Sequence, residues 1–290
     1  KSEEEASVLR FYKIVLSWDY LRILKEAERK YDKKKPDGDG SLLKVKSRYT
    51  DVDDYFDVFE PLLFEEVKSH IIQQKDEEEE TVWLQAIVAE CNEINGFHLP
   101  AIICLNADSV SQSDLLLVST AKFGEGKHLP TAYAFALVDH RQNDKIKLRL
   151  YLSGEIKSYN VDDVRPCQRL HSMLPIVSEV QKCVYVLKLC SLSTILREYV
   201  AMRSIGSLPF KDIILKAADT YSSNAASSWT LPRPLEDLMK REQNESQMDS
   251  IYAVLSHKPL VLIQGPPGTG KTRTILGILN AICHSSPPRV

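Results

Sequence analysis

The residues with the clearest chemical potential lie near the C-terminus, where Gly265 to Thr272 read Gly-Pro-Pro-Gly-Thr-Gly-Lys-Thr. This run fits the phosphate-binding loop (P-loop) pattern of a glycine, four variable residues, Gly-Lys and a hydroxyl residue. Glycines let backbone N–H groups surround phosphates without a Cβ in the way. Lys271 is expected to reach the β- and γ-phosphates, and Thr272 to bind Mg²⁺. The sequence therefore predicts a nucleotide site with Lys271 and Thr272 as its catalytic residues.

Both flanks of the P-loop support this interpretation. Before it, Pro259 to Gln264 is an apolar run typical of a buried parallel strand. After it, Pro287 and Pro288 end a predicted helix whose apolar residues recur at helical spacing: Ile275, Leu276, Ile278, Leu279 and Ile282. Strand, loop and helix follow in the order that phosphate binding needs. The alternative is an ordinary Gly-Pro turn between core elements.

The position of the P-loop in the chain also carries an expectation. Only eighteen residues follow Thr272, whereas a nucleotide-binding sheet needs several parallel strands and places its Mg²⁺-binding acid on a later one. The chain also begins at Lys1 rather than at methionine. These observations predict the front part of a larger enzyme. We therefore expect the chain alone to bind ATP weakly and not to hydrolyse it.

Composition narrows the class of protein. The 290 residues suffice for about two domains, and 43% hydrophobic with 27% charged residues is ordinary for a globular protein. No run is long enough to span a membrane, and Lys1 to Glu5 are too acidic for a signal peptide. The net charge of −3 gives no overall basic surface, so we expect any nucleic-acid contact to come from local patches or from a missing part of the enzyme. The six cysteines, without a Cys-x-x-Cys pair, predict reduced, mostly buried thiols in an intracellular protein, and the histidines lack zinc spacing.

Helical periodicity dominates the first 80 residues. A long amphipathic helix is predicted from about Ala6 to Lys30. A second helix is expected to open at Pro61, because Asp57 and Glu60 suit a helix N-terminus better than a catalytic pair. The runs 33–40 and 76–80 are rich in charge and predict a solvated loop and linker. The three lysines at 33–35 leave a nuclear address or a phosphate contact as alternatives.

From residue 81 the period changes from helix to strand. Short strands with turn signals between them and no intervening helices favour a small antiparallel barrel. Lys145, Lys147, Arg149 and Tyr151 form a basic strip that either binds nucleic acid at the barrel rim or is the wet face of a strand. The predicted strands are Val82–Val88, Leu99–Leu105, Asp114–Ser119, Tyr133–Val138, Lys145–Leu152 and Cys183–Leu189.

Helices are predicted again after the barrel. The first runs from Ser191 to Ile205, between Ser/Thr caps and Gly206, and the second from Pro209 to Ala218. A loop at 222–228 then leads to two helical segments at 236–241 and 244–251, just ahead of the P-loop strand.

Gln247 lies eighteen residues ahead of Gly265 on the last of these helices. In that place it resembles the adenine-reading glutamine of superfamily 1 helicases, because an amide can both donate to and accept from the adenine edge. The order of segments resembles the senataxin-like nuclear helicases over nearly the whole chain. The segments that carry this resemblance, besides the barrel and the P-loop, are Trp18–Tyr20, Val58–Leu63, Arg197–Tyr199 and Leu208–Phe210.

The resemblance implies a mixed α and β fold. In it, a helical brace and stalk carry an inserted antiparallel β-barrel, and the first strand and helix of an incomplete RecA-like P-loop α/β domain follow. The implied division is 1–80 (brace and first stalk helix), 81–190 (barrel), 191–240 (second stalk helices and linker) and 241–290 (truncated P-loop domain). The acidic Walker B pair, the second RecA-like domain and the catalytic arginine of the family would all lie beyond Val290.

The resemblance also implies a function. It is 5′-to-3′ ATP-driven translocation on RNA or single-stranded DNA and unwinding of RNA–DNA hybrids in the nucleus, in RNA processing and transcription termination. Proteins of those processes are possible partners, and no membrane is expected. ATP and Mg²⁺ are the expected cofactors. Thr272 is the expected metal ligand, and the predicted nucleotide site comprises Gln247, Gly265, Pro266, Pro267, Gly268, Thr269, Gly270, Lys271, Thr272 and Arg273.

Two other functions stay open from the residues. One is a non-catalytic nucleic-acid-binding or adaptor module that keeps the barrel but has no motor. The other is a P-loop ATPase of another kind or a nucleotide kinase. It is disfavoured because those proteins generally carry the P-loop near the chain start, and here more than 260 residues precede it.

Overall fold

The computed structural model describes residues 2–32, 42–76, 82–124, 128–216, 229–256 and 260–286. The chain divides into two compact units, residues 1–207 and 208–290, and each is described by itself. The predicted loops at 33–40 and 222–228, and nearly all of the acidic linker at 76–80, lie outside the described residues.

The first unit begins with helices α1 (Glu3–Ser17), α2 (Tyr20–Asp32) and α3 (Val52–Asp76). Its strands are β1 (Leu84–Ile94), β2 (Phe97–Cys104), β3 (Asp114–Ser119), β4 (Tyr133–Gln142), β5 (Lys145–Arg149), β6 (Glu155–Ile156), β7 (Val164–Arg165) and β8 (Cys183–Ser191). The remaining helices of this unit are α4 (Gln168–His171), α5 (Leu174–Ser178) and α6 (Ser193–Arg203), followed by a 3-10 turn at Ile205–Ser207. The second unit contains α7 (Lys211–Lys216), α8 (Arg233–Glu242), α9 (Glu245–Leu255) and α10 (Lys271–His284).

Six strands close an antiparallel barrel in the order β1-β2-β5-β4-β3-β8. All six correspond to predicted strands, and the fold is mixed α and β as expected. The hairpins β1–β2 and β4–β5 turn at Asn95-Gly96 and at Asn143, all three with positive φ, as tight hairpin turns require. Irregularities in register near Val88 and Val138 bend strands β1 and β4, which helps a small sheet to close.

Alternate residues of the barrel strands enter two different cores. One set fills the barrel interior together with Leu170 and Met173, from α4 and its C-terminal turn. The other set faces outward and is covered by the helices. It packs with α1, α2, α3 and α6 and includes Leu115, Leu117, Phe135, Leu137 and Leu187. Burial on both faces explains why β3 is buried throughout and carries four consecutive apolar residues, 115–118, while β5 alternates.

The single long helix predicted from Ala6 to Lys30 is wrong, because the chain breaks between α1 and α2. Trp18 has an extended backbone with φ −67° and ψ 159°. The Asp19 carboxylate accepts hydrogen bonds from the N–H groups of Leu21 at 3.0 Å and Arg22 at 3.4 Å. Asp19 therefore caps the start of α2, and the cap ends one helix and begins another.

A distant arginine stabilises this break. Arg169 donates hydrogen bonds to the carbonyl oxygens of Ser17 at 3.3 Å and Trp18 at 3.1 Å, where α1 ends. It also donates to the carbonyl of Tyr133 at 2.8 Å, and the Tyr133 hydroxyl donates to Asp19 at 2.7 Å. The carbonyl groups at the C-terminal end of α1, which have no partner within the helix, thus accept hydrogen bonds from a residue about 150 positions later in the chain.

The predicted start of α3 at Pro61 is also wrong. The helix begins at Val52 and contains Pro61. Asp51 accepts a hydrogen bond from the N–H of Asp54 at 2.9 Å, so the N-terminal cap lies ten residues before the proline. The proline is tolerated because the helix is anchored on both sides of it by buried side chains: Val58, Phe64, Val67 and Ile71.

Glu60 is a buried ion-pair partner and not a helix-start acid. Arg10 donates from Nε and Nη2 to the two Glu60 oxygens, both at 3.0 Å, and the Tyr199 hydroxyl donates to Glu60 Oε1 at 2.7 Å. Burial and the neighbouring Glu60 charge raise the pKa of Tyr199, so its phenol stays protonated and can donate. This Arg10–Glu60–Tyr199 cluster joins α1, α3 and α6.

Two smaller predictions need correction. Helix α6 has Leu192 at its N-cap without a side-chain cap bond, and Gly206 lies within the following 3-10 turn rather than closing the helix. The cysteines are free, but Cys104 alone of the six is fully buried. Most of the others lie on barrel strands, where half of the positions face outward.

Removing Glu60 should destabilise the first unit more than removing the Tyr199 hydroxyl. Glu60→Ala leaves the Arg10 charge partly buried without its partner, at a cost of about 2–4 kcal/mol. Tyr199→Phe removes hydrogen bonds but keeps the ion pair, at a cost of about 1 kcal/mol. Urea unfolding followed by tryptophan fluorescence measures both. Tyr12→Phe, also on α1, is the control with an expected cost below about 0.5 kcal/mol. A Glu60→Ala cost no larger than the control's would contradict this role of the cluster.

Candidate nucleotide-binding site

The P-loop forms a tight turn that leads into α10. Gly268 and Gly270 both have φ of +81°, a left-handed conformation that favours glycine. A Cβ on Gly265 would lie 2.7 Å from the hydroxyl of Thr269, so glycine is also required by space there. The Thr269 hydroxyl donates to the carbonyl of Pro266 at 2.7 Å and closes the turn. The glycines predicted to wrap phosphates therefore have the backbone geometry which that task needs.

Lys271 folds back over the loop that precedes it. Its Nζ donates hydrogen bonds to the carbonyl oxygens of Gly265 at 3.0 Å and Pro266 at 3.2 Å. Lys271, Thr272 and the neighbouring Arg273 are exposed. They lie in the first turn of α10, where free N–H groups and the helix dipole favour an anion. Lys271, predicted to bind phosphate, Thr272, predicted to bind the metal, and the flanking Arg273 therefore all lie at the N-terminal end of α10.

Gln247 lies beside the same loop and is 9% exposed. Its Nε2 donates to the carbonyl of Thr269 at 3.2 Å, and its Oε1 accepts from the backbone N–H of Asn244 at 3.0 Å. Asn244 Oδ1 in turn accepts from the Gln247 N–H at 2.9 Å, which completes a capping box at the start of α9. The adenine contact of Gln247 stays a prediction. Both ends of its amide are engaged with backbone groups here.

Sequence reasoning missed the part played by Asn244. The signal was present, because Asn followed three residues later by Gln is the capping-box pattern. It identifies the start of α9 and explains why the Gln247 side chain turns back along the chain.

The buried strand predicted ahead of the P-loop does not form among the described residues 260–264. Leu262 is 87% exposed and Ile263 is 45% exposed. A parallel strand needs neighbours for its ladder bonds and its side chains, and the described part of the second unit provides none. Pro259 lies outside the described residues.

Helix α10 has one covered and one uncovered face. Thr274, Gly277 and Ala281 are buried in the second unit. The apolar side chains on the other face are exposed: Ile275, Leu276, Leu279 and Ile282. Apolar surface on both α10 and the segment before the P-loop is what the first strand and helix of an uncompleted sheet would show.

The predicted basic strip of the barrel is only partly confirmed as a surface feature. Lys145 and Lys147 are exposed. Arg149 is half-buried and paired with Asp139 at 2.8 Å, and Tyr151 is buried. Outward positions at this end of the strand are covered by the helices, so Lys145 and Lys147 remain as the exposed basic residues of the strip, and Lys145 is paired with Glu90 at 2.9 Å.

No group of three or more His, Cys, Asp and Glu side chains among the described residues could hold a metal ion. Of the described helices, none combines the length and apolarity needed to cross a membrane.

Comparison with known proteins places this site in a family. Residues 242–290, which contain α9, the P-loop and α10, match the family model of an AAA domain, a class of nucleotide-binding domain. The chain is 46% identical over 301 residues to "Probable helicase MAGATAMA 3" of Arabidopsis thaliana, an alignment that covers 100% of this chain and 36% of that protein. The chain therefore spans about a third of the length of this relative.

More distant relatives agree. The chain is 28% identical over 274 residues to "Helicase SEN1" of Saccharomyces cerevisiae, which covers 92% of this chain and 11% of the relative. It is 26% identical over 261 residues to "Probable helicase senataxin" of Homo sapiens, which covers 81% and 9% respectively. Since the alignment with the Arabidopsis relative covers the whole chain, barrel unit and P-loop included, and SEN1 and senataxin match most of it, the chain belongs to the senataxin-like family of superfamily 1 helicases.

Proposed function

We propose that the protein is an ATP-dependent helicase or translocase that acts on RNA, single-stranded DNA or RNA–DNA hybrids. The observation that carries this proposal is the P-loop, with two glycines in the left-handed conformation and Lys271 folded over it at the start of α10. Membership of a helicase family supports the same activity. The nuclear location and the roles in RNA processing and transcription termination rest on the family alone.

The chemistry proposed for this site is positioning and charge stabilisation. Lys271 leaves its two carbonyl partners and binds the β- and γ-phosphates of ATP, while the N–H groups of the loop and of the first α10 turn surround them. Thr272 would hold Mg²⁺ through its hydroxyl, and the ion would supply positive charge that offsets the charge of the phosphates. Gln247 and Arg273 complete the proposed nucleotide site.

The barrel unit is proposed to grip the nucleic-acid strand. Lys145 and Lys147 are exposed on β5 and can contact phosphates without base specificity. The division into brace, barrel, stalk and P-loop domain, with the boundaries given above, is part of this proposal. A non-catalytic nucleic-acid-binding or adaptor module is the second candidate, and it is favoured by the closed barrel with a core of its own.

Lys271→Ala should abolish nucleic-acid-stimulated ATP hydrolysis in the full-length protein that carries this chain. Loss of a positive group aimed at the transferred phosphate is expected to lower kcat by about 100-fold or more. The assay is ATP turnover with and without single-stranded RNA. Lys240→Ala is the matched control, because Lys240 is an exposed lysine of α8 paired with Glu236 at 2.7 Å. RNA binding without any Lys271-dependent turnover would favour the adaptor candidate instead.

The 290-residue chain alone should bind ATP weakly and show no turnover. The exposed apolar residues of α10 and of residues 260–264 indicate that the nucleotide sheet is not completed by the described part of the chain. Titration with a fluorescent ATP analogue and a phosphate-release assay test both statements. Steady ATP hydrolysis by the pure chain, lost in Lys271→Ala, would contradict the prediction.

A further inference from the structure

We infer that Gln243 and Gln247 form a clamp that positions the P-loop, and that this clamp controls affinity for the phosphate chain of any nucleotide. The inference deepens the proposed function and rests on it. It differs from adenine reading, because a clamp on the loop acts on the triphosphate whatever base is attached.

The two glutamine amides hold two carbonyl groups of the loop and the helix that follows it. Gln247 Nε2 donates to the carbonyl of Thr269, and Gln243 Nε2 donates to the carbonyl of Arg273, each at 3.2 Å. The two donors are four residues apart, and so are the two acceptors. The segment that leads into α9 is thereby fixed to the P-loop and to the first turn of α10 at two points.

Glycines of the loop and helix permit this close approach. A Cβ on Gly270 would lie 2.8 Å from Gln247 Nε2. A Cβ on Gly277 would lie 2.9 Å from the Ile251 side chain and 3.2 Å from Gln243 Nε2. The Gly270 contact is closer than a Cβ normally approaches, and the contact between Gly277 and Gln243 is tight, so glycine at both positions leaves room for the two glutamines.

The clamp acts on a peptide group that phosphate binding needs. In a planar trans peptide the C=O of Thr269 and the N–H of Gly270 point in opposite directions. The hydrogen bond from Gln247 turns the carbonyl towards α9, so it directs the Gly270 N–H away from α9. Gly270 has positive φ, and as a glycine its backbone is restricted less by sterics than that of other residues. Gln247 is therefore a positioning residue for a phosphate-binding N–H group.

The oxygen of the Gln247 amide makes a second contact, which orients the side chain for this role. Its Oε1 is held by the Asn244 N–H in the capping box, which fixes the direction in which Nε2 points. A glutamine whose main role was to read adenine would need both amide ends for the base edge. If Gln247 reads adenine, its loss weakens the binding of ATP alone. If it positions the loop, its loss weakens the binding of every triphosphate.

The test uses the full-length protein that carries this chain and isothermal titration with ATP, GTP and inorganic triphosphate, each with Mg²⁺. Gln247→Met keeps the side-chain length but removes both the donor to Thr269 and the acceptor of the Asn244 N–H, and it should weaken all three ligands by the same factor of about ten. Gln243→Met should weaken all three by about threefold to tenfold. Ser246→Ala is the control, because Ser246 contacts Asn244 on the same helix and does not contact the loop. Its affinities should stay within about twofold of the wild type.

The outcomes separate the clamp from the proposed function. A loss confined to ATP in Gln247→Met, or no loss for any ligand, overturns the clamp. If Gln247→Met does not fold, Gln243→Met decides in the same way. Lys271→Ala, titrated alongside, reports on the proposed function: affinities unchanged by that variant would overturn the function, whatever the glutamine variants do.

Discussion

A glycine-rich loop binds phosphates only when its backbone N–H groups are held in place, and here the preceding helix supplies that restraint. Gln247 joins α9 to the carbonyl of Thr269, and the capping box with Asn244 fixes the direction of the Gln247 side chain. Lys271, at the C-terminal end of the loop, donates a hydrogen bond to the carbonyl of Gly265 at its N-terminal end. The second unit is thus arranged around one loop, although the sheet that would cover its apolar surface is not formed by the described residues.

The first unit depends on charged groups placed between packed elements. Arg10, Glu60 and Tyr199 connect three helices, and Arg169 connects the barrel region to the break between α1 and α2. Each charge is satisfied by several hydrogen bonds, so its burial is tolerated, and its removal would leave a partner without compensation. Such contacts fix the angle at which helices meet a barrel, which apolar packing alone defines less sharply.

Much of this fold could be predicted from the sequence, and the errors have physical causes. The six barrel strands were identified because side-chain alternation and turn residues are local signals. The break at Trp18 and the burial of Glu60 were missed because their partners, Arg169 and Tyr199, lie about 140 to 150 residues away. Pro61 was mistaken for a helix start because its cost is offset by packing, which a one-dimensional pattern does not contain.

The candidate site likewise combines features that the local sequence predicts with features that depend on contacts between distant residues. The P-loop was identified from residue types and spacing alone, because its chemistry is local. The segment before it was expected to be a strand, but a strand is defined by its neighbours, and Leu262 and Ile263 have none among the described residues. The grip of Gln247 on Thr269 was not foreseen. It depends on how closely α9 and α10 approach, which the residue types and their spacing do not define.

The central claim is that the loop at the start of α10 closes on a Mg²⁺-bound nucleoside triphosphate. The most direct test is amide hydrogen exchange across residues 265–274 of the full-length protein, with and without Mg²⁺ and a non-hydrolysable ATP analogue. The account predicts slower exchange throughout this segment when the analogue is added, and no such change in Lys271→Ala. Exchange that is unaffected by the analogue, or that slows equally in Lys271→Ala, would contradict it.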